Sequence, residues 1–399
     1  MESGAADRAL IGAVPVSARA LAPDLARGAM LLLIALANIP LYLYGDGSFG
    51  DGIWLRGHPV VDQTVLFGLT VLVRGRAYPM FAFLFGYGIV QLQRRLASTG
   101  VDDVTVQRLI RRRGTWMVLI GCCHALLLFS GDIIGAYGLL AVLLAGMLVR
   151  ARERTLLITS AVWVVPLVLF RTLEGQLSPL HGKATSTTAV LQAAEMRILE
   201  WLQHSVVGSI FILVPAVLLG VCAARRRLLD EPQCHHRFLL PVALLGVALA
   251  AAGGLPWALV KASWWDPPSE AVAMTVGVVQ TLTGFAGGLG YAAIAGLVAI
   301  RVQHREQRPG RIISALVACG QRSMTCYLLQ SVVFVAVLAS YGGGLGNRVG
   351  YTDIAALAIV TWLLTVLVAA WMSRHGYRGP AEVLLRRLTY RAAGSAAAR

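Results

Sequence analysis

Apolar runs of about 17 to 28 residues recur along this chain, each closed by a short polar stretch. A run of that length crosses a hydrocarbon layer about 30 Å thick as a helix. Backbone groups in hydrocarbon must be satisfied within the protein, which leaves helices or closed barrels. The runs are rich in Leu, Ala, Val and Gly and lack the alternation a barrel strand needs. The sequence therefore predicts an all-α, polytopic membrane protein. Of 399 residues, 57% are hydrophobic and 14% charged, so no soluble domain remains to carry a separate activity.

Charge supplies the topology. The 35 Lys and Arg residues exceed the 20 acidic ones, but they are nearly all Arg and sit in short clusters between apolar runs. That pattern follows the positive-inside rule and excludes a nucleic-acid surface as the reason for the basic balance. About ten spans are predicted, near 27–44, 78–91, 114–129, 133–149, 155–170, 205–223, 238–260, 271–300, 313–341 and 353–373. Both ends are then cytoplasmic: a tail at 1–26, a membrane domain at 27–373 and a C-terminal segment at 374–399. Residues 1–26 lack the order of a signal peptide, so the first span is expected to anchor the chain uncleaved. A multi-pass protein of a bacterial plasma membrane is expected.

The apolar stretch 60–73 conflicts with this scheme, because counting it as a span would place Arg111–Arg113 outside. It is predicted to lie in the outer interface or to dip partway, ending at Arg74-Gly75-Arg76. Amphipathic helices are expected at LQAAEMRILEWLQH, with Leu191, Ile198 and Trp201 in the outer interface, and at Pro380–Tyr390, with Val383, Leu384 and Leu388 towards lipid and Arg386 and Arg387 towards headgroups. GFAGGLGYAAIAG, 284–296, reads as a helix-packing face of small residues. The six cysteines fit no zinc ligand spacing and are taken as small packing residues. YGGGLGNRVG, 341–350, reads as a turn.

Polar residues inside a bilayer are costly and mark functional candidates. Arg27 and Asn38 are eleven positions apart, so they share a helix face about 16 Å apart. His124 lies mid-span, and Asp132 follows a Ser-Gly break. Along one continuous helix they would stand about 12 Å apart and 80° around, so they are predicted not to pair, each seeking a partner elsewhere. His124 and the loop residue His58 are the candidate general bases, with Asp132 orienting a base or an acceptor. Arg322 is expected inside the ninth span, either snorkelling to headgroups or binding an anion, with Thr325, Cys326 and Leu329 on its face and Tyr327 and Gln330 beside it. Arg27, Asn38, Arg322, Tyr327 and Gln330 are the expected substrate-binding residues. No metal site is expected.

Five ordered stretches, RGAMLLLIALANIP, FAFLFGYGIVQLQRR, GCCHALLLFSGDIIGAYGLL, GQRSMTCYLLQS and GPAEVLLRRLTY, resemble the bacterial YeiB-like membrane proteins, a domain of unknown function numbered 418. That family is grouped with transmembrane acyltransferases, including the acyltransferase-3 proteins and the heparan-α-glucosaminide N-acetyltransferases. The resemblance implies an Arg followed after ten residues by a His in acyltransferase-3 proteins; here position 38 is Asn. The glucosaminide acetyltransferases are similar in having Asn there and a histidine base in the next loop, for which His58 is the loose match.

Two function classes are thus expected to compete. In the first, an acyl-CoA-type co-substrate, held by inner arginines and not bound permanently, gives its acyl group to a hydroxyl or amine of a small molecule or glycan in an outward cavity. In the second, the same residues line the path of a small-metabolite transporter. No paired broken helices of the kind that mark alternating access are visible in the sequence. A third, blander expectation is a structural membrane partner. The bilayer is the one partner the sequence names directly.

Overall fold

The computed structural model describes residues 20–44, 59–177, 183–266, 268–304 and 309–390, and His58 lies outside them. These residues form helices with no strand among them: α1 Leu21–Asn38, α2 Pro59–Leu72, α3 Ala77–Ala97, α4 Asp103–Leu127, α5 Ile134–Arg150, α6 Glu153–Val162, α7 Val164–Leu177, α8 Lys183–Ser186 and α9 Val190–Glu200. After a π-helical stretch at Trp201–Gly208 follow α10 Ser209–Arg225, α11 His236–Lys261, α12 Glu270–Gln303, α13 Arg311–Gln321, α14 Ser323–Leu338, α15 Tyr351–Arg374 and α16 Pro380–Tyr390.

Among the described residues, six helical stretches are long and apolar enough to cross a membrane: Leu21–Tyr42, Pro59–Ala97, Glu153–Leu173, Pro232–Lys261, Glu270–Gln303 and Tyr351–Arg374. Two bent pairs raise the number to eight, against the ten expected. The difference has local causes. The expected span 114–129 is the apolar half of α4, whose first half carries Arg108 and Arg111–Arg113. The span 133–149 became the 17-residue α5.

Two breaks stand out. The stretch 60–73 forms a separate helix, α2, and the chain turns at Arg74-Gly75-Arg76 before α3, as expected. Helix α2 packs along α11 and α15, and its buried Asp62 accepts hydrogen bonds from Thr352 N at 2.8 Å and Thr352 Oγ1 at 2.6 Å. Together α2 and α3 make a 39-residue stretch. At 1.5 Å per residue its two helical parts, of 14 and 21 residues, rise about 21 and 32 Å on either side of the turn, so α3 alone matches the thickness of a hydrocarbon layer. The expected ninth span, 313–341, is not one helix. It breaks at Arg322, and α13 and α14 meet at 86°.

The glycine stripe of α12 packs as the sequence predicts, and its partners are α11 and the turn between α2 and α3. A Cβ on Gly284 would lie 2.4 Å from the Gly75 carbonyl oxygen, and one on Gly287 would lie 2.8 Å from Arg76 Cγ. The space so kept is filled by the Arg76 side chain, which is fully buried and donates to the carbonyls of Thr70, at 2.9 Å, Arg74 and Ala250. The sequence treats Arg76 as a loop cation; it is a strut joining α2, α3 and α11. Gly75 itself has φ +79°, a conformation L side chains avoid.

At one end of the bundle the arginine clusters converge on helix C-termini, whose last carbonyls have no partner within their own helix. Arg225 donates to the carbonyls of Leu148, Val149 and Ala151 at the end of α5, at 3.1, 3.2 and 2.5 Å. Arg94 does the same for Ala224 and Arg225 at the end of α10 and pairs with Asp230 at 3.2 Å. Arg112 reaches the Leu388 carbonyl of α16 at 2.8 Å. Of the cysteines, Cys222, Cys319 and Cys326 are buried as packing residues, whereas Cys123 and Cys234 are exposed.

Candidate functional site

The site begins with a hairpin of small residues. Gly114 and Gly121 of α4 face Gly138 and Gly135 of α5; a Cβ on Gly114 would lie 2.6 Å from the Gly138 carbonyl oxygen, and one on Gly121 2.3 Å from Gly135 N. The two helices therefore touch backbone to backbone. Helix α4 ends at Leu127, and the amides of Leu128 and Phe129 both bond the His124 carbonyl, at 2.8 and 3.0 Å. The chain then reverses through Ser130 and Gly131 and re-enters as α5.

This reversal overturns the expected separation of His124 and Asp132. His124 Nδ1 lies 2.8 Å from Asp132 Oδ1, and the other carboxylate oxygen accepts from Gly135 N at 2.7 Å. The estimate of about 12 Å assumed a helix running unbroken through both positions; the helix stops between them. Asp132 thus does two jobs, capping the N-terminus of α5, where a carboxylate is favoured, and holding the imidazole. His124 is 4% exposed and Asp132 fully buried. With Nδ1 turned to a carboxylate, Nε2 is the free ring position, and it is buried without a hydrogen-bond partner.

Around the imidazole stand aromatic rings. Tyr327 of α14 lies 5.2 Å from it between centroids and Phe129 6.3 Å, and Phe129 stacks on Tyr42 at 5.1 Å. One turn beyond Tyr327, Gln330 is buried with neither amide atom partnered. Because α14 starts at the break, Tyr327 is only about 6 Å along its axis from the N-terminus.

Residues 223–392 match the family model described as "Protein of unknown function (DUF418)". The likeness extends further at lower resolution of detail. The chain is 24% identical to "Uncharacterized protein YxaH" of Bacillus subtilis over 402 residues, covering 92% of this chain and 93% of that protein. It is 24% identical to "Uncharacterized protein YeiB" of Escherichia coli over 398 residues, covering 94% and 97%. These matches support the YeiB-like, DUF418 resemblance carried by the five motifs. The broken helix and α16 fall inside the DUF418 region, and the His124–Asp132 pair falls outside it.

The remaining expected residues divide by what holds them. In the DUF418 region Arg322 caps the break: Nε and Nη2 donate to the Tyr377 carbonyl at 3.2 and 2.6 Å, and Nη1 to that of Ala318 at 3.0 Å. The sequence predicts a continuous helix face through Arg322; instead the helix breaks there. Arg27 pairs with Asp24 at 2.9 Å and reaches the Leu84 carbonyl at 3.2 Å. Asn38 accepts from Tyr78 OH at 2.7 Å. Of the expected binding set, Tyr327 meets the His124 ring, and Gln330 lies one turn further along α14.

Sequence reasoning missed two contributors. Glu382 of α16 caps α14, accepting from Met324 N at 2.8 Å, Thr325 N at 3.2 Å and Thr325 Oγ1 at 2.5 Å. Helix α16 spans Pro380–Tyr390 as expected, but Leu385 and Thr389 are buried against protein while Leu384 is exposed. Arg197 of α9 is the other. The face of α9 turned inward carries Ala193, Arg197 and Glu200, and Leu191 is exposed while Trp201 is buried. The i, i+4, i+7 spacing of those three was the available signal; it was masked by the apolar residues beside it.

Proposed function

We propose that this chain is a membrane-embedded acyltransferase in which His124 is the general base. The observation that carries this is the buried imidazole with Nδ1 fixed by Asp132 and Nε2 left unpartnered. A carboxylate on Nδ1 sets the tautomer in which Nε2 is the proton acceptor, and burial in an aromatic shell excludes competing water. An acceptor hydroxyl or amine would give its proton to Nε2 as its oxygen or nitrogen attacks the thioester carbonyl of an acyl-CoA-type donor. The new C–O or C–N bond forms, the C–S bond breaks, and the departing thiolate takes the proton from the imidazolium. Gln330, with a donor and an acceptor both unpartnered, would orient the acceptor. The donor would approach from the arginine end past Tyr327, and the acceptor from the opposite end, which the charge bias makes the outer face.

The test is release of the CoA thiol from acetyl-CoA and longer acyl-CoAs by full-length protein in proteoliposomes, with a panel of sugar and amine acceptors. Acceptor-dependent thiol release that His124→Gln and Asp132→Asn abolish, in variants that elute as the wild type on size exclusion, is expected. No release by well-folded wild-type protein with any acceptor overturns the proposal.

Transport is the second reading, and one observation favours it. The 86° break at Arg322 puts a half-helix N-terminus inside the bundle, a feature of substrate sites in secondary transporters. Solute accumulation in vesicles without thiol release would decide for it.

A further inference from the structure

The turn that joins His124 to Asp132 also floors a cleft on its far side. Tyr42, Phe129, Ser130, Thr185, Arg197 and Tyr341 are among its walls; it encloses about 10 Å³ and opens outward at its mouth. The cation in the wall is buried: Arg197 is 4% exposed. Its Nε donates to the Leu126 carbonyl at 2.9 Å and Nη1 to Tyr341 OH at 2.6 Å, with the guanidinium carbon 5.1 Å from the Tyr341 ring centre. All three partners are uncharged. Glu200, one turn on, accepts from Ala184 N at 2.9 Å, and no carboxylate among the described residues forms an ion pair with Arg197.

A guanidinium removed from water is costly unless an opposite charge compensates it. Here no ion pair to Arg197 forms among the described residues, the buried Glu200 carboxylate lies one turn away, and a cleft lined by Ser130 and Thr185 opens beside the cation. The planar fork of Arg fits phosphate and carboxylate oxygens two at a time. We propose that this cleft binds a small anionic group, a phosphate or a carboxylate, with Arg197 as its counter-ion. Its enclosed part has room for about one water-sized group, so one oxygen of the anion enters beside the guanidinium and the rest of the group sits at the open mouth. Resting on the acyl-transfer reading, the anion is the handle of the acceptor, seated across the Leu128–Ser130 turn from His124, so the acceptor class is one bearing phosphate or carboxylate. The binding claim itself does not need that reading.

The experiment measures binding without any acyl donor, so it succeeds or fails independently of catalysis. Full-length protein in neutral detergent and phosphate-free buffer is titrated with inorganic phosphate against sodium chloride of matched ionic strength, followed by thermal unfolding and calorimetry. Parallel samples sit in nanodiscs of phosphatidylcholine, with or without phosphatidylglycerol. Saturable stabilisation of the wild type by phosphate, weakened about tenfold or more in Arg197→Gln, is expected. Thr185→Leu fills the cleft while leaving the cation and its partners in place, and is expected to lose binding even if the Arg197 variant folds poorly. Stabilisation by phosphatidylglycerol alone, sensitive to the same substitutions, assigns the anion to a lipid headgroup. No saturable effect of either anion on wild-type protein, or an equal effect in both variants, overturns the proposal.

Discussion

Asp132 Oδ1 stands 2.8 Å from His124 Nδ1 across a chain reversal of eight residues, both side chains sealed from solvent. Removing the carboxylate leaves two buried donors, the imidazole N–H and Gly135 N, without their acceptor. Each such loss costs about 1–3 kcal/mol. Asp132→Ala is expected to unfold at lower temperature than Asp132→Asn, which keeps an acceptor oxygen for one of the two. Thermal unfolding in detergent reads this directly, and an alanine variant as stable as the wild type would show that the pair contributes nothing to the fold.

The α12 glycines that face the turn between α2 and α3 are expected to tolerate no side chain. Gly284→Ala places a methyl 2.4 Å from the Gly75 carbonyl oxygen, a backbone atom that cannot swing aside. Overpacking of this kind costs about 1–3 kcal/mol. Gly277→Ala on the same helix, where the nearest atoms are 3.8 Å away on Trp257, serves as the control and should be near neutral. Equal melting temperatures for the two variants would contradict the close approach.

Glu382 ties α16 to the break. Glu382→Ala uncaps α14, at a cost of about 1–2 kcal/mol. The local signature is more telling than the global one: hydrogen exchange at Met324 and Thr325 should accelerate while the Leu338 end of α14 stays protected. Unchanged exchange at those two amides would remove Glu382 from the capping role.

The first turn of α4 is expected to depend on pH. Asp102 caps it, accepting from Val104 N at 3.2 Å and Thr105 N at 3.4 Å. The hydrogen bond from the Thr105 side chain, followed by the backbone amides, holds the Asp102 carboxyl below its ordinary value of 3.8. A depressed acid contributes stability above its unfolded pKa and loses it as pH falls through the folded value. Exchange at Val104 and Thr105 should therefore be protected at neutral pH and lose that protection only under acid conditions below about 4. Asp102→Ala should abolish the pH step.

Run length and arginine placement in the sequence were enough to determine a helical membrane protein, the glycine face of α12, the limits of α16 and the polar residues worth watching. These are properties of hydrophobic length and of helical spacing, which are local. The partners of those residues were decided by the tertiary structure. His124 meets Asp132 because α4 stops at Leu127, and a helix is expected to stop only where something better than its next turn is available. Arg76 and Arg197 look like loop and interface cations, yet both are buried, because the carbonyls and hydroxyl they satisfy come from positions such as Ala250 and Tyr341, far along the chain. The same holds for the break at Arg322, whose Tyr377 acceptor and Glu382 cap lie more than fifty residues downstream. Periodicity states which side of a helix is apolar; the identity of the group that meets a buried charge depends on which distant backbone folds against it.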